Sequence, residues 1–79
     1  DFHAFLAAVT RASPWLPPAL TYRLARAYGT RIERIIGDAA SLDDLGTHYG
    51  DGIYEAEIDY LSRYEWLQTA EDFLWRRSK

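Results

Sequence analysis

The chain has 79 residues, 48% of them apolar, a formal net charge of −3, and neither cysteine nor methionine. That length holds one domain, and the missing cysteines exclude a disulfide framework, a thiolate zinc site and a cysteine nucleophile together. No apolar run is long enough to cross a bilayer, and a pI near 5.2 argues against affinity built on phosphate neutralisation. Eight of the nine basic residues are arginine and aromatics make up 15%, a bias toward interface anchors and fixed ion pairs. Asp1-Phe2-His3 shows no basic leader pattern, and the absent methionine points to a segment of a longer chain.

Phe2, Phe5, Leu6 and Val9 recur at spacings of three and four, with Ala4, Ala7, Ala8 and Ala12 between them, which predicts a short amphipathic first helix. Ser13-Pro14-Trp15-Leu16-Pro17-Pro18 ends it, because proline removes a helix donor and turns its predecessor away from α geometry. Pro18 suits the first turn of a second helix that runs to Tyr28, buries Leu20, Leu24 and Ala27 or Tyr28, and stops at Gly29. Thr30-Arg31-Ile32-Glu33 has capping-box spacing: the Thr30 hydroxyl would accept from the Glu33 amide, and the Glu33 carboxylate from the Thr30 amide. A third helix follows with Ile32, Ile35, Ile36 and Ala39 inward, its last turn weakened by Gly37.

Ser41-Leu42-Asp43-Asp44-Leu45-Gly46, serine-capped and acid-rich, predicts a single turn. Gly46, Gly50 and Gly52 then mark a tight loop, closed either as coil or as a small hairpin of His48-Tyr49 against Ile53-Tyr54. The longest helix is expected from Tyr54 to about Trp66, with Ile58, Leu61 and Tyr54 or Glu65 on one stripe that Tyr60 and Tyr64 widen. Thr69-Ala70-Glu71-Asp72 reads as a new cap, opening a fifth helix with Phe73 and Leu74 inward and basic residues at its end. The expected fold class is all-α: one domain over 1–79, a small bundle of four or five short helices with a glycine-rich loop before the longest.

Few constellations could carry chemistry. His3 and His48 alone cannot hold a metal without carboxylates that the sequence does not bring to them, so no metal site is expected. The three loop glycines lack GxGxxG spacing and a preceding strand, and read as turn residues. Of the carboxylates on the long helix, Glu55 and Asp59 belong to the wet face, with Asp59 able to pair with Arg63 one turn on. Glu65 shares the apolar stripe, so a buried ion pair with Arg76 or Arg77 is expected there. Leu24 to Ile35, two helices about a glycine turn, also fits a helix-turn-helix presenting Arg31 and Arg34. Glu33 between those arginines, the early Gly37 and the acidic chain oppose that reading. Trp75-Arg76-Arg77-Ser78-Lys79 could touch a membrane surface, but a helix C-terminus favours bases in any case.

Tyr28-Gly29-Thr30-Arg31, Leu45-Gly46, Tyr49-Gly50, Tyr54-Glu55-Ala56-Glu57, Glu65-Trp66 and the closing run Thr69 to Lys79 together resemble one family: the C-terminal α-helical domain of bacterial FAD-dependent, quinone-linked glycerol-3-phosphate dehydrogenases. The resemblance covers nearly the whole chain and is strongest from Gly46 onward; Ser78 stands where Thr is commoner and Phe73 where a smaller aliphatic is usual. It implies a parent flavoprotein that oxidises sn-glycerol 3-phosphate to dihydroxyacetone phosphate and passes electrons to quinone, peripheral to the cytoplasmic side of the inner membrane. FAD and substrate chemistry belong, in that family, to an N-terminal portion, so no catalytic or cofactor-binding residue is carried over. Glu65, Trp66, Asp72, Trp75, Arg76 and Arg77 are assigned to docking, and Gly29, Thr30 and Glu33 to a helix cap. The partner so implied is the N-terminal FAD and substrate domain of the same chain, with a second subunit as a further partner and no nucleic acid. The alternative is a stand-alone helix-turn-helix or protein-interaction module.

Overall fold

The computed structural model describes residues 1–77, with side chains through 68. It contains four α-helices, α1 (Phe2–Ala12), α2 (Pro18–Tyr28), α3 (Ile32–Ile36) and α4 (Glu55–Arg77), with 3₁₀ turns at Gly29–Arg31 and Leu42–Leu45. The all-α class is as expected from the sequence. The Asp1 carboxylate accepts from the His3 amide and starts α1, which lays Phe2, Phe5, Leu6 and Val9 half-buried against the core. Pro17 and Pro18 open α2 as the missing donors allow. Its inward face carries Leu20, Thr21, Leu24 and Ala25, with Ala25 rather than Ala27 in the core and Tyr28 half-buried. The Thr21 hydroxyl is satisfied by donating to the Pro17 carbonyl at 3.1 Å, which lets a polar residue sit in the core.

Gly29 ends α2 with φ +55. The chain then tightens into a 3₁₀ turn, so α3 starts at Ile32 rather than after Thr30. No side chain caps α3, and the Thr30–Glu33 capping box is not formed: Thr30 is inside the turn when it would need to precede it. Gly37, also at φ +55, stops α3 after five residues. Ser41 likewise caps nothing with its side chain; Asp44 instead accepts from the Ala40 amide at 2.8 Å. Leu16, Leu20, Leu24, Ala25, Ile32, Ile35, Leu45 and Tyr60 form the core. Burying a Leu or Ile side chain contributes roughly 1.5–3 kcal/mol, and a domain this small relies on few such residues.

Two expectations about the C-terminal half are corrected. The helix expected to break near Trp66 runs unbroken for 23 residues, from Glu55 to Arg77, so there is no separate fifth helix. No glycine or proline stands between Tyr54 and Arg77, and Thr69 is an acceptable helix residue even where it could have been a cap. The second correction is rotational. The buried face of α4 carries Ala56, Glu57 and Tyr60, while Ile58 and Leu61, expected inward, stand 43% and 41% exposed.

A buried carboxylate clamp and an uncovered helix face

The glycine loop closes as a minimal hairpin. His48 and Tyr54 form an antiparallel bridge, the Tyr49 amide donates to the Ile53 carbonyl at 2.8 Å, and the Ile53 amide donates to Gly50 at 3.0 Å. The His48 ring stacks on Tyr54 at 4.5 Å, and its Nε2 accepts from the Gly52 amide at 3.2 Å. At the root of the loop, the Glu55 carboxylate accepts from the Thr47 amide at 3.1 Å and lies against Gly46, where an added Cβ would meet Glu55 Oε1 at 2.6 Å.

That hairpin delivers Glu57, on the first turns of α4, to the one fixed ion pair among the described residues. Arg23 of α2 donates from Nη1 to Glu57 Oε2 at 3.0 Å and from Nη2 to Oε1 at 2.7 Å, and Nη2 also donates to the Gly52 carbonyl at 3.1 Å. The Tyr28 hydroxyl donates to Glu57 Oε2 at 2.7 Å. Glu57 is only 7% exposed, yet every oxygen is engaged, which is the condition under which a carboxylate is tolerated inside. The Arg23 hydrogen bonds, with help from Tyr28, hold the Glu57 carboxyl below its ordinary value despite burial. Burial, and then the hydrogen bond to Glu57, push the Tyr28 phenol up to about 12. A carboxylate held ionised and a phenol held neutral make a poor acid–base pair near neutrality, so the arrangement is a clamp joining α2, the hairpin and α4.

Beside the clamp the Tyr28 and Tyr60 rings meet edge to face at 5.6 Å, and Tyr60 stacks on Tyr64 at 6.0 Å. Arg31 lies over the Tyr64 ring at 5.4 Å. Farther round α4, Ile58 and Leu61 face solvent, and Trp66 and Leu67 are 67% and 63% exposed.

The residues singled out from sequence are distributed differently. Glu65 is exposed, not buried, and Trp66 is exposed; Asp72, Trp75, Arg76 and Arg77 carry side chains outside the described residues, so the expected pairing of Glu65 with Arg76 or Arg77 lies outside them too. Asp59 and Arg63 do not come within 4.0 Å of each other. Gly29 ends α2 at φ +55 and ψ −135, and Thr30 and Glu33 form no cap. The buried carboxylate that sequence reasoning sought at Glu65 is Glu57. One signal pointed to it: Arg23 flanks the apolar arc of α2 one turn from Leu20, where its guanidinium can reach an acid on the element packed beside it.

No group of three or more His, Cys, Asp or Glu that could hold a metal occurs among the described residues. The glycine loop does not fit FAD. A dinucleotide needs a strand, a glycine turn and a helix N-terminus converging on its pyrophosphate, whereas these glycines turn a hairpin and the Gly52 amide is engaged by His48. A helix-turn-helix is disfavoured as well, since α3 has five residues and Arg31 packs on Tyr64. No described helix is long and apolar enough to cross a membrane.

Among known proteins, the chain is 52% identical over 65 residues to a glycerol-3-phosphate dehydrogenase of Pseudomonas aeruginosa, covering 82% of the chain and 13% of that relative. It is 41% identical over all 79 residues to the aerobic glycerol-3-phosphate dehydrogenase of Escherichia coli K12, covering 16% of that relative. It is 39% identical over the same 79 residues to a D-erythritol 1-phosphate dehydrogenase of Brucella abortus, again 16% of its length. The chain thus spans about one-seventh of the relatives it matches. No solved structure matches it. The family model for the C-terminal domain of alpha-glycerophosphate oxidase matches residues 3–79, and the chain belongs to that family.

Proposed function

We propose that the chain is the non-catalytic C-terminal domain of an FAD-dependent polyol-phosphate dehydrogenase and packs on the N-terminal FAD and substrate domain of the same protein. Glycerol 3-phosphate, oxidised to dihydroxyacetone phosphate with electrons passed to quinone, is the preferred reaction. Two of the three relatives named above carry glycerol 3-phosphate in their names, and the third carries another polyol phosphate. The parent would be peripheral to the cytoplasmic side of the inner membrane.

The observation that carries the packing role is the second apolar stripe of α4. The helix already buries Ala56, Glu57 and Tyr60 against its own domain, and yet leaves Ile58 and Leu61 exposed on an adjoining face. A helix apolar on two faces is built to lie between two layers. The non-catalytic role is supported by the clamp, whose titratable groups are tied to one another and held in resting charge states. In the full-length enzyme, I58D/L61D should speed protease release of this domain and reduce activity, while local helicity is retained. Unchanged release and activity would contradict the packing role.

A further inference from the structure

Three arginines converge on one side of the α3–α4 contact. Arg34 and Arg63 line an open groove of about 510 Å³ whose other walls are Ile35, Ala56, Tyr60, Tyr64 and Leu67. Arg31 stands at the same place, its guanidinium over the Tyr64 ring. Asp59 is the one carboxylate in the lining, and none of the three arginines has a carboxylate within 4.0 Å among the described residues. The chain as a whole carries a net charge of −3, so this face opposes the charge of the rest of the molecule. Its floor is the Ile35 side chain and the Tyr60 ring, both buried, the Tyr60 hydroxyl having no hydrogen-bond partner among the described residues, and its edge is guanidinium and aromatic. Those are the parts of an interface core ringed by charge.

We infer that this groove docks an acidic segment of the catalytic body, with apolar residues entering over Ile35 and Tyr60 and carboxylates meeting Arg34 and Arg63. The inference rests on the packing role proposed above and adds the chemistry of the partner. Charge complementarity selects the occupant: planar guanidiniums suit paired carboxylates, and the apolar floor requires a polypeptide rather than a bare anion. Arg31, committed to Tyr64, fixes the aromatic edge and adds positive potential without needing a carboxylate of its own.

The test uses the full-length enzyme and the rate at which limited proteolysis releases this domain. R34E/R63E should raise that rate roughly tenfold, and added salt should accelerate release of the parent protein but not of the variant. R11E, a charge reversal on exposed α1, is the control and should change little. If R34E/R63E leaves release unchanged while I58D/L61D accelerates it, the acidic partner is wrong and the packing role stands. If neither changes release, both are wrong. Reversal that detaches the enzyme from anionic phospholipid vesicles, with protease release unaffected, would assign the groove to a lipid surface and overturn the inference.

Discussion

At the scale of single residues, the domain depends on one carboxylate. Glu57 is bound by two guanidinium nitrogens and a phenol, so E57Q turns one accepting oxygen into an amide NH2 facing these donors and removes the charge that pairs with Arg23. Breaking a fully buried pair costs roughly 3–5 kcal/mol, but the Arg23 side chain is 40% exposed and remains solvated, so about 2 kcal/mol is expected by chemical denaturation. Y28F should cost about 1 kcal/mol, and the double variant less than the sum, because both act on one carboxylate oxygen. The pH dependence has two limbs. Glu57 titrates below its ordinary value of 4.5 when folded, so the unfolded chain takes up protons first as pH falls. Its contribution is complete above 4.5 and disappears as pH drops through the folded value. Tyr28 is raised from 10.0 to about 12, so its contribution is complete below pH 10 and is lost between 10 and 12. Y28F should flatten that alkaline limb; an unaltered alkaline melt would show that the Tyr28 phenol is not held neutral by burial and Glu57 in the folded state. In the full-length enzyme E57Q should lower the melting temperature while kcat/KM of the folded fraction is unchanged, and a selective loss of kcat would contradict the non-catalytic role.

At the scale of elements, the turns differ in how much a side chain disturbs them. Gly46 has φ +82 and sits against Glu55, so Gly46→Ala adds a clash to backbone strain and should cost about 3 kcal/mol. Gly37, at φ +55 and ψ −132, has open space around it, so Gly37→Ala meets backbone strain alone and should cost about 2 kcal/mol. Equal losses at the two sites would refute the packing of Glu55 on the loop root. The helices α1 and α2 were legible in sequence because their apolar spacing, prolines and Gly29 all agree. The start of α3 was not, since a box such as Thr30–Glu33 specifies a cap only if the chain before it is extended, and here it is a 3₁₀ turn. The inward face of α4 was misread by about one residue. Ile58 and Leu61 are more apolar than Glu57, and only the distant Arg23 makes the polar residue the buried one. Continuity of α4 has its own test. Gln68→Pro lies two residues past the expected end at Trp66, where a linker would tolerate it. In an unbroken helix it should cost about 3 kcal/mol and reduce far-ultraviolet ellipticity.

At the scale of the molecule, sequence and structure agree on the class of fold, the family model agrees with the resemblance to a C-terminal domain, and sequence and structure differ on where the domain meets its surroundings. The closing motif drew attention to Glu65, Trp66 and the residues beyond. The structure adds a surface that no motif marked: the Ile58–Leu61 stripe and, round the helix from it, the arginine-edged groove. Neither is visible in a single sequence, because periodicity gives one inward face per helix and cannot tell which of two apolar faces its own domain will cover. In the whole enzyme the exposed face of α4 should be covered. Hydroxyl-radical footprinting of the full-length protein tests it directly, with Tyr49, 62% exposed on the hairpin, as internal reference. Strong protection of Ile58 and Leu61 is expected beside ready oxidation of Tyr49. Oxidation of Ile58 and Leu61 at the rate expected of free surface residues would contradict it.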